Sequence, residues 1–193
     1  MEQSTVEKAN EKMVNGVAVD KLFGTIDAVK TDPEIAKFKF RATNKWINGG
    51  HNHTTITDFY GAKETHKHEN AFELPEDEPP VLLGEDKGAN PVEYALTALA
   101  GCLTSSMIYH AAAKGIVIKG VESRLEGDLD LRGFLGISQE VEVGYQNIRA
   151  YFKIDADLTE QQKEELILMA QKYSPVFNTI ANRTPIEVQL ERK

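Results

Sequence analysis

The predicted helix that begins at Asn90 limits the possible folds more than any other segment. Asn90 is a favourable N-cap, and Pro91 suits the first helical position. Glu93 stands three residues after the cap, where its carboxylate can reach back to the cap amide. Gly115 predicts the end of the helix near Lys114, because glycine is common just past the last turn. The chain must therefore fold around a helix of about seven turns.

The interior of this helix is apolar and rich in small residues. The run from residue 94 to 113 contains more alanine than leucine and is interrupted by threonine, serine and histidine, so it falls short of a transmembrane span. Small residues on one side would let another helix or a second subunit approach closely. That side carries Ala95, Ala98, Leu99, Cys102, Ser105, Ser106 and Tyr109. Because Leu96, Leu103 and Ile108 make the rest apolar, we expect burial nearly all round.

Composition places the chain among ordinary globular proteins. Its 193 residues are 41% hydrophobic and 27% charged, which suffices for one domain with a sizeable core. The formal charge of −8 and the lack of a basic cluster argue against nucleic acid or an anionic membrane as a partner. Residues 1–12 are polar and do not resemble an export signal, so we expect a cytoplasmic protein. No cofactor is predicted.

The first part of the chain is predicted to form a helix followed by strands. Apolar residues between 17 and 29 follow the spacing of an amphipathic helix. Alternation over 38–42 and the β-branched run at 54–57 predict strands, with Gly49-Gly50 as the turn of a hairpin. The proline-rich and acidic stretch between Glu73 and Gly88 predicts a solvated loop.

The second part alternates between strand and helix patterns. Residues 121–131 alternate strictly and predict a strand, a glycine-punctuated loop follows, and 148–154 predict another strand. Thr159 opens a capping box for a helix to about Lys172. A short helix after Ser174 and a terminal strand over 186–190 complete an α+β order. We divide the chain into an N-terminal helical extension, 1–37, and an α+β domain, 38–193.

Cys102 is the only cysteine, so any thiol chemistry must use this sulfur. One cysteine cannot form an intramolecular disulfide, which agrees with a reducing compartment, although an intermolecular bridge is possible. In an alanine-rich helix, a buried cysteine is usually just a small hydrophobic residue. Reactivity requires a thiolate, and Cys102 lies beyond the first turn, so its activation needs a nearby Arg or His. Candidates are Arg41, His53, Arg124 and Arg149.

Four motifs, in order along the chain, carry a resemblance to a known family. They are Gly88-Ala89-Asn90-Pro91-Val92-Glu93-Tyr94 continuing into Leu99-Ala100-Gly101-Cys102-Leu103-Thr104, then Gly144-Tyr145-Gln146-Asn147-Ile148-Arg149, Ser174-Pro175-Val176-Phe177, and Asn182-Arg183-Thr184-Pro185-Ile186-Glu187-Val188. Together they resemble the OsmC/Ohr family, over roughly residues 38–190.

The resemblance implies a fold and a chemistry. It implies an intertwined homodimer in which β-sheets wrap two long central helices, with active sites at the subunit interface. In the family's peroxidases, a helix cysteine attacks an organic hydroperoxide and becomes a sulfenic acid, which a second cysteine resolves as a disulfide. Lipoylated proteins or other dithiols then restore the pair. Cys102 matches the attacking cysteine.

The sequence departs from that pattern at three positions. The resolving cysteine matches Ser174, which cannot form a disulfide and is also an excellent N-cap. The family's glutamate directly follows the helix-start proline, where this chain has Val92, and Glu93 lies one residue later. Glu93 precedes Cys102 by about two and a half turns, which directs the two side chains to opposite sides of the helix. The activating arginine has no certain match, and Arg41 or His53 is the candidate stand-in.

Two His-x-His pairs offer a different chemistry. His51 with His53, and His66 with His68, lie in predicted strands, where side chains two residues apart share a face and could hold zinc or nickel. The surrounding residues are polar and no carboxylate completes a recognised motif, so we expect no metal. His110 is expected to be a packed or interface residue.

The sequence thus supports three hypotheses. The first is a thiol-dependent organic hydroperoxide reductase, with Cys102 as nucleophile, Arg41 or His53 stabilising its thiolate, Glu93 as a further candidate catalytic residue, and an external thiol as reductant. The second is an inactive member of the same family that binds a small hydrophobic ligand or serves in a stress response. The third is a metal-binding protein that uses the histidine pairs.

Overall fold

The computed structural model describes residues 11–191, which divide into two compact units. The first unit ends at Tyr94 and the second begins at Ala95. The combination of antiparallel sheets with helices confirms the predicted mixed α and β class. The predicted boundary at residue 37 stays a prediction.

The first unit contains a short hairpin, a helix and a four-stranded antiparallel sheet. The hairpin pairs β1 (Met13–Val14) with β2 (Val17–Ala18), and α1 (Val19–Thr31) follows, which confirms the predicted amphipathic helix. In the sheet, β5 (His51–Gly61) is central. One of its edges pairs with β3 (Lys39–Phe40) and β4 (Thr43–Asn48), the other with β6 (Glu64–Glu76). The β4–β5 turn lies at Gly49-Gly50, as predicted.

The region predicted as a solvated loop is partly strand and is organised by a buried carboxylate. Strand β6 continues to Glu76, and Pro75 pairs with His53 in its register. Asp77 is only 2% exposed and accepts hydrogen bonds from the backbone N–H groups of Glu78, Glu85 and Lys87 at 2.8, 3.1 and 3.2 Å. Burial raises the pKa of Asp77, but these donors outweigh it and leave the pKa below its usual value. The acidic composition of this stretch predicted solvent exposure and did not indicate that one carboxylate is buried.

The second unit packs helices against one hairpin. Its elements are α2 (Pro91–Ala113), which begins in the first unit, β7 (Ile118–Asp128), α3 (Leu131–Phe134), β8 (Asn147–Ala156), α4 (Glu160–Tyr173) and α5 (Pro175–Ala181). Strands β7 and β8 pair along their whole length. The core consists of Leu99, Leu103, Met107, Ala111, Ile154, Leu166, Met169 and Ala170.

Helix starts follow the predicted capping chemistry. Thr159 and Gln162 form the predicted capping box of α4, and Ser174 caps α5 with Pro175 at its first position. Helix α2 ends before Gly115, whose φ of +70° is a conformation that glycine adopts without strain. Strand β7 stops at Asp128, short of the predicted residue 131, because Asp130 caps α3 by accepting from Arg132 N.

The predicted terminal strand is wrong, and the expected burial of α2 nearly all round is not reached within residues 11–191 alone. A second subunit would have to cover the other side of the helix, so that expectation stays a prediction. Helix α2 is buried along one stripe, while Thr97, Ala98, Gly101, Ser105 and Tyr109 are exposed, so the second unit covers one side of the helix only. The predicted terminal strand has no ladder partner within residues 11–191, and its apolar side chains at 186, 188 and 190 are 83%, 91% and 86% exposed. A strand requires a neighbouring strand to supply its backbone hydrogen bonds. Among the described residues, none of the helices has the length and apolar character needed to cross a bilayer.

Candidate active site around Cys102

Cys102 lies on α2, half-buried, beside the start of α5. The backbone N–H of Val176 points at its Sγ, with a nitrogen-to-sulfur distance of 3.5 Å. Val176 is the second residue of α5, within the first turn where N–H groups have no partner inside the helix. These groups carry partial positive charge, so this donor stabilises negative charge that develops on the sulfur.

Ser174 leaves the Val176 N–H available for the sulfur. Its Oγ accepts from Phe177 N at 3.1 Å, and Pro175 has no N–H, so Val176 has the one first-turn donor next to Cys102. Ser174 is 0% exposed. Ser174 therefore acts as the cap of α5.

Ser174 is also the C-cap of α4, so α5 begins directly where α4 ends. Residues 173–176 form the elbow between the two helices. The exposed side chain of Asn178 holds this elbow together. Its side-chain amide donates to the carbonyl oxygens of Gln171, Lys172 and Ser174 at 3.1, 3.3 and 2.9 Å. Two of those carbonyls belong to the last turn of α4, where they lack helical partners. Asn178 thus fixes the direction of α5 relative to α4.

A second set of contacts ties the elbow to α2. Ser106 Oγ donates to the backbone oxygen of Tyr173 at 3.4 Å. The imidazole of His110 stacks on the Tyr173 ring, with centroids 4.3 Å apart and planes 20° apart. Burial, and then the nearby charge of Lys114, lower the pKa of His110 below 6.5. His110 is a packed residue, as the sequence suggested.

An apolar cavity of about 360 Å³ lies within the second unit between α2, β8, α4 and α5. Leu99 and Leu103, which flank Cys102 in the sequence, form part of its wall, and so does Phe177. Its other lining residues are Tyr145, Gln146, Asn147, Ile148, Ala150, Phe152, Ile167, Ala170, Gln171, Ile180 and Ala181. The volume suits a small, largely apolar molecule.

Glu93 and Asn90 form the reciprocal cap predicted for α2. Glu93 Oε2 accepts from Asn90 N at 2.9 Å, and Asn90 Oδ1 accepts from Val92 N at 3.0 Å. The carboxylate therefore has a structural function at the helix start. Its candidate catalytic role stays a prediction.

Arg41 and His53 lie in the first unit, whereas Cys102 lies in the second. Arg41 forms an ion pair with Asp58. His53 lies on β5 between Lys45 and Pro75, and its ring contacts His51 edge-on with centroids 5.1 Å apart. Their predicted role in activating the sulfur remains a prediction.

Arg124 and Arg149, the other candidate activators, bind carboxylates of their own hairpin. Arg149 donates to Asp128 Oδ1 and to Glu126 Oε1, each at 2.8 Å, and these bonds raise the pKa of Arg149 above its usual value. Arg124 donates to Glu126 at 2.6 Å and lies 4.3 Å from the centroid of the Tyr151 ring. Both guanidinium groups serve to join β7 and β8.

The histidine pairs are involved in ring packing. His66 and His68 both lie against Phe59, with centroids 5.0 and 5.7 Å from its ring. Within residues 11–191, no group of three or more His, Cys, Asp or Glu is placed to hold a metal ion. The geometry therefore gives no support to the metal-binding hypothesis.

The family assignment rests on a sequence match that covers more than half of the chain. Residues 84–189, which include Cys102 and the α4–α5 elbow, match the sequence model of the OsmC-like protein family. The chain belongs to this family. Among curated proteins, none matches the sequence significantly.

Solved structures share the fold of this OsmC-like protein at low identity. The crystal structure of an OsmC-like protein from Mycoplasma pneumoniae has a TM-score of 0.58 and 19% identity, over 75% of this chain and 89% of that chain. An organic hydroperoxide resistance protein OsmC from Legionella pneumophila has a TM-score of 0.53 and 21% identity, over 73% and 89%. An OsmC-like protein of unknown function from Vibrio cholerae has a TM-score of 0.55 and 12% identity, over 73% and 92%.

The sequence identified Cys102 and the Ser174 cap, but missed what joins them. Ser174-Pro175 signalled a helix start, and a helix start always offers N–H donors. Nothing in the spacing of some seventy residues showed that Cys102 would receive one of them. Asn178 gave no recognisable signal either, because its partners are carbonyl oxygens of the backbone.

We expect acid to destabilise the wild-type protein more than the His110→Phe variant. Folding lowers the pKa of His110, so the stability that the neutral ring contributes is fully present above pH 6.5 and is lost as the pH falls below that value. Phenylalanine keeps a stacked ring but does not titrate. Thermal unfolding, followed by circular dichroism between about pH 7.5 and about pH 5.5, measures the difference. An equal decrease in the two melting temperatures would contradict this expectation.

Proposed function

We propose that this OsmC-like protein is a thiol-dependent organic hydroperoxide reductase in which Cys102 is the nucleophile. The observation that carries the proposal is the Val176 N–H directed at Cys102 Sγ at 3.5 Å. Two further features support it: the apolar cavity beside the cysteine's neighbours and the family match over this region. The Legionella pneumophila relative, described as an organic hydroperoxide resistance protein, has the same fold.

The first step is a two-electron transfer from sulfur to peroxide. The Cys102 thiolate attacks the terminal oxygen of ROOH, a sulfur–oxygen bond forms, and the oxygen–oxygen bond breaks. The leaving alkoxide takes a proton and departs as the alcohol ROH. Cys102 is thereby oxidised to a sulfenic acid. The Val176 N–H stabilises the thiolate that begins this step.

An external thiol completes the cycle, because the chain has one cysteine and Ser174 cannot form a disulfide. One thiol attacks the sulfenic sulfur, releases water and forms a mixed disulfide with Cys102. A second thiol attacks that disulfide, releases the Cys102 thiolate and leaves as the oxidised reductant. We place this cycle in the cytoplasm, where such thiols are kept reduced.

The proposal also includes two residues of the first unit, Arg41 and His53. We assign Arg41 or His53 to stabilise the thiolate, at the interface of an intertwined homodimer as the family resemblance implies. Support for the homodimer comes from the exposed side of α2, where Tyr109 is 53% exposed, and from the exposed apolar terminal segment at 186–190. Such surfaces are typical of subunit contacts.

The apolar cavity also favours a second candidate function. A chain of the same fold whose cysteine does not react with peroxide would use the 360 Å³ cavity to bind a small hydrophobic ligand. The test of the first proposal separates the two functions.

Cys102→Ser is expected to abolish hydroperoxide consumption. The assay follows cumene hydroperoxide with dihydrolipoamide or dithiothreitol as reductant. The hydroxyl of serine cannot form the sulfenic acid, so turnover should fall to the rate without protein. Ser105→Ala, an exposed change on the same helix, is the matched control and should keep wild-type turnover. If the wild type consumes peroxide no faster than Cys102→Ser, the reductase proposal is wrong and ligand binding is favoured.

Ser174→Cys is expected to restore the disulfide cycle of the family's peroxidases. After one equivalent of cumene hydroperoxide, mass spectrometry should find a bond between positions 102 and 174. In the wild type, dimedone should instead trap a sulfenic acid at Cys102. A dimedone adduct that forms equally in both proteins would show that position 174 does not act as the resolving position.

Gly101→Leu tests the proposed homodimer. Among residues 11–191, a Cβ at Gly101 meets no atom within 4 Å beyond its chain neighbours and the nearby backbone of α2. Replacing glycine in a helix stabilises the helix by about 1 kcal/mol. The variant should therefore fold with unchanged circular dichroism. If this side of α2 faces a second copy, the larger side chain will weaken the dimer by at least 10-fold in Kd, as measured by sedimentation. Ser105→Ala is the control. A dimer of unchanged affinity would exclude this side as the contact.

A further inference from the structure

Three side chains on one side of α2 contact the elbow between α4 and α5. Cys102 receives the Val176 N–H, Ser106 donates to the Tyr173 carbonyl, and His110 stacks on the Tyr173 ring. Their spacing of four residues places them within about 80° of one another around the helix. Residues 173–176 therefore contact three successive turns of α2.

The contact with the sulfur differs from the other two, because it depends on the orientation of a whole helix. The donor is a backbone N–H, so its direction is set by the orientation of α5 and not by a rotamer of Val176. Asn178 fixes α5 relative to α4, and the His110 ring stacks on Tyr173, the last residue of α4. Any shift of the elbow relative to α2 would therefore change the distance between Val176 N and Cys102 Sγ.

We propose that His110 is a positioning residue, which acts through its stack on Tyr173 to hold the Val176 N–H against Cys102 Sγ. The proposal rests on the proposed function of Cys102 and adds a residue that does not touch the reacting atoms. The separation of eight residues along α2, about 12 Å, excludes direct proton transfer between His110 and the sulfur.

The surroundings of His110 favour its neutral, stacked form. The charged group that acts on it is Lys114, just past the end of α2. Lys172 of α4 lies over the Tyr173 ring, with its Nζ 5.1 Å from the ring centroid. The ammonium group of Lys114 repels an imidazolium at His110. The role that remains for the ring at neutral pH is packing, which a phenyl ring can reproduce.

The test compares His110→Ala with His110→Phe in the full-length protein. Sulfenic acid formation with cumene hydroperoxide, measured by stopped flow at pH 7.5, should be slower by roughly 10-fold in His110→Ala and within about twofold of wild type in His110→Phe. Tyr173→Leu removes the stack from the other side and should reproduce the His110→Ala rate. Tyr173→Phe should keep the wild-type rate. Melting temperatures establish that each variant is folded.

Alkylation of Cys102 by iodoacetamide keeps this inference separate from the reductase proposal. Loss of the N–H donor disfavours the reactive thiolate and slows alkylation, whereas simple loosening of the packing exposes the half-buried sulfur and speeds it. We expect slower alkylation in His110→Ala, even if the wild type does not reduce peroxide. Unchanged or faster alkylation in that variant would overturn the positioning role. Equal slowing in His110→Phe would also overturn it, because the imidazole itself would then be required.

Discussion

The arrangement around Cys102 depends on one packing contact, the buried stripe of α2 against α4 and the β7–β8 hairpin. Leu99, Leu103, Met107 and Ala111 recur every four residues along this stripe and are at most 4% exposed. Packing of such a stripe fixes the rotation of a helix about its axis and its position along that axis relative to its neighbours. Cys102 is adjacent to Leu103, so its position at the edge of the core follows directly. The same contact brings the end of α4 to the level of the cysteine.

Helix capping then converts this packing into local chemistry. Ser174 takes one first-turn N–H of α5, proline removes another, and the third points at sulfur. No charged side chain of the second unit is needed for that interaction. Arg149 is instead bound to Glu126 and Asp128 across the hairpin, where it stabilises strand pairing. Arg124 binds Glu126 of its own strand and lies over the Tyr151 ring of the other strand. Backbone groups and side chains thus have separate functions in this unit.

The sequence predicted what is locally determined and failed where distant groups meet. Helix starts at Asn90, Thr159 and Ser174 were predictable, because a cap and its partner lie within three residues of each other. The Asp77 turn was not, since its donors at Glu85 and Lys87 follow no spacing rule. The terminal strand failed for a related reason: alternation of apolar residues predicts a strand, but only a partner makes one. The Val176 contact with Cys102 depends on tertiary packing and could not be predicted from either motif alone.

Ser174, which serves as the cap of two helices, has a consequence for motion during catalysis. A resolving cysteine at this position would have to turn toward Cys102, leave the Phe177 N–H without its partner and loosen the elbow in every turnover. With serine, the cap could persist through the proposed oxidation and reduction, because the second sulfur would arrive from solution. In the proposed cycle, this protein would therefore exchange a conformational step for a bimolecular one. Its turnover would be set by the concentration of the thiol and by access to Cys102, and not by the rate at which a helix end unwinds.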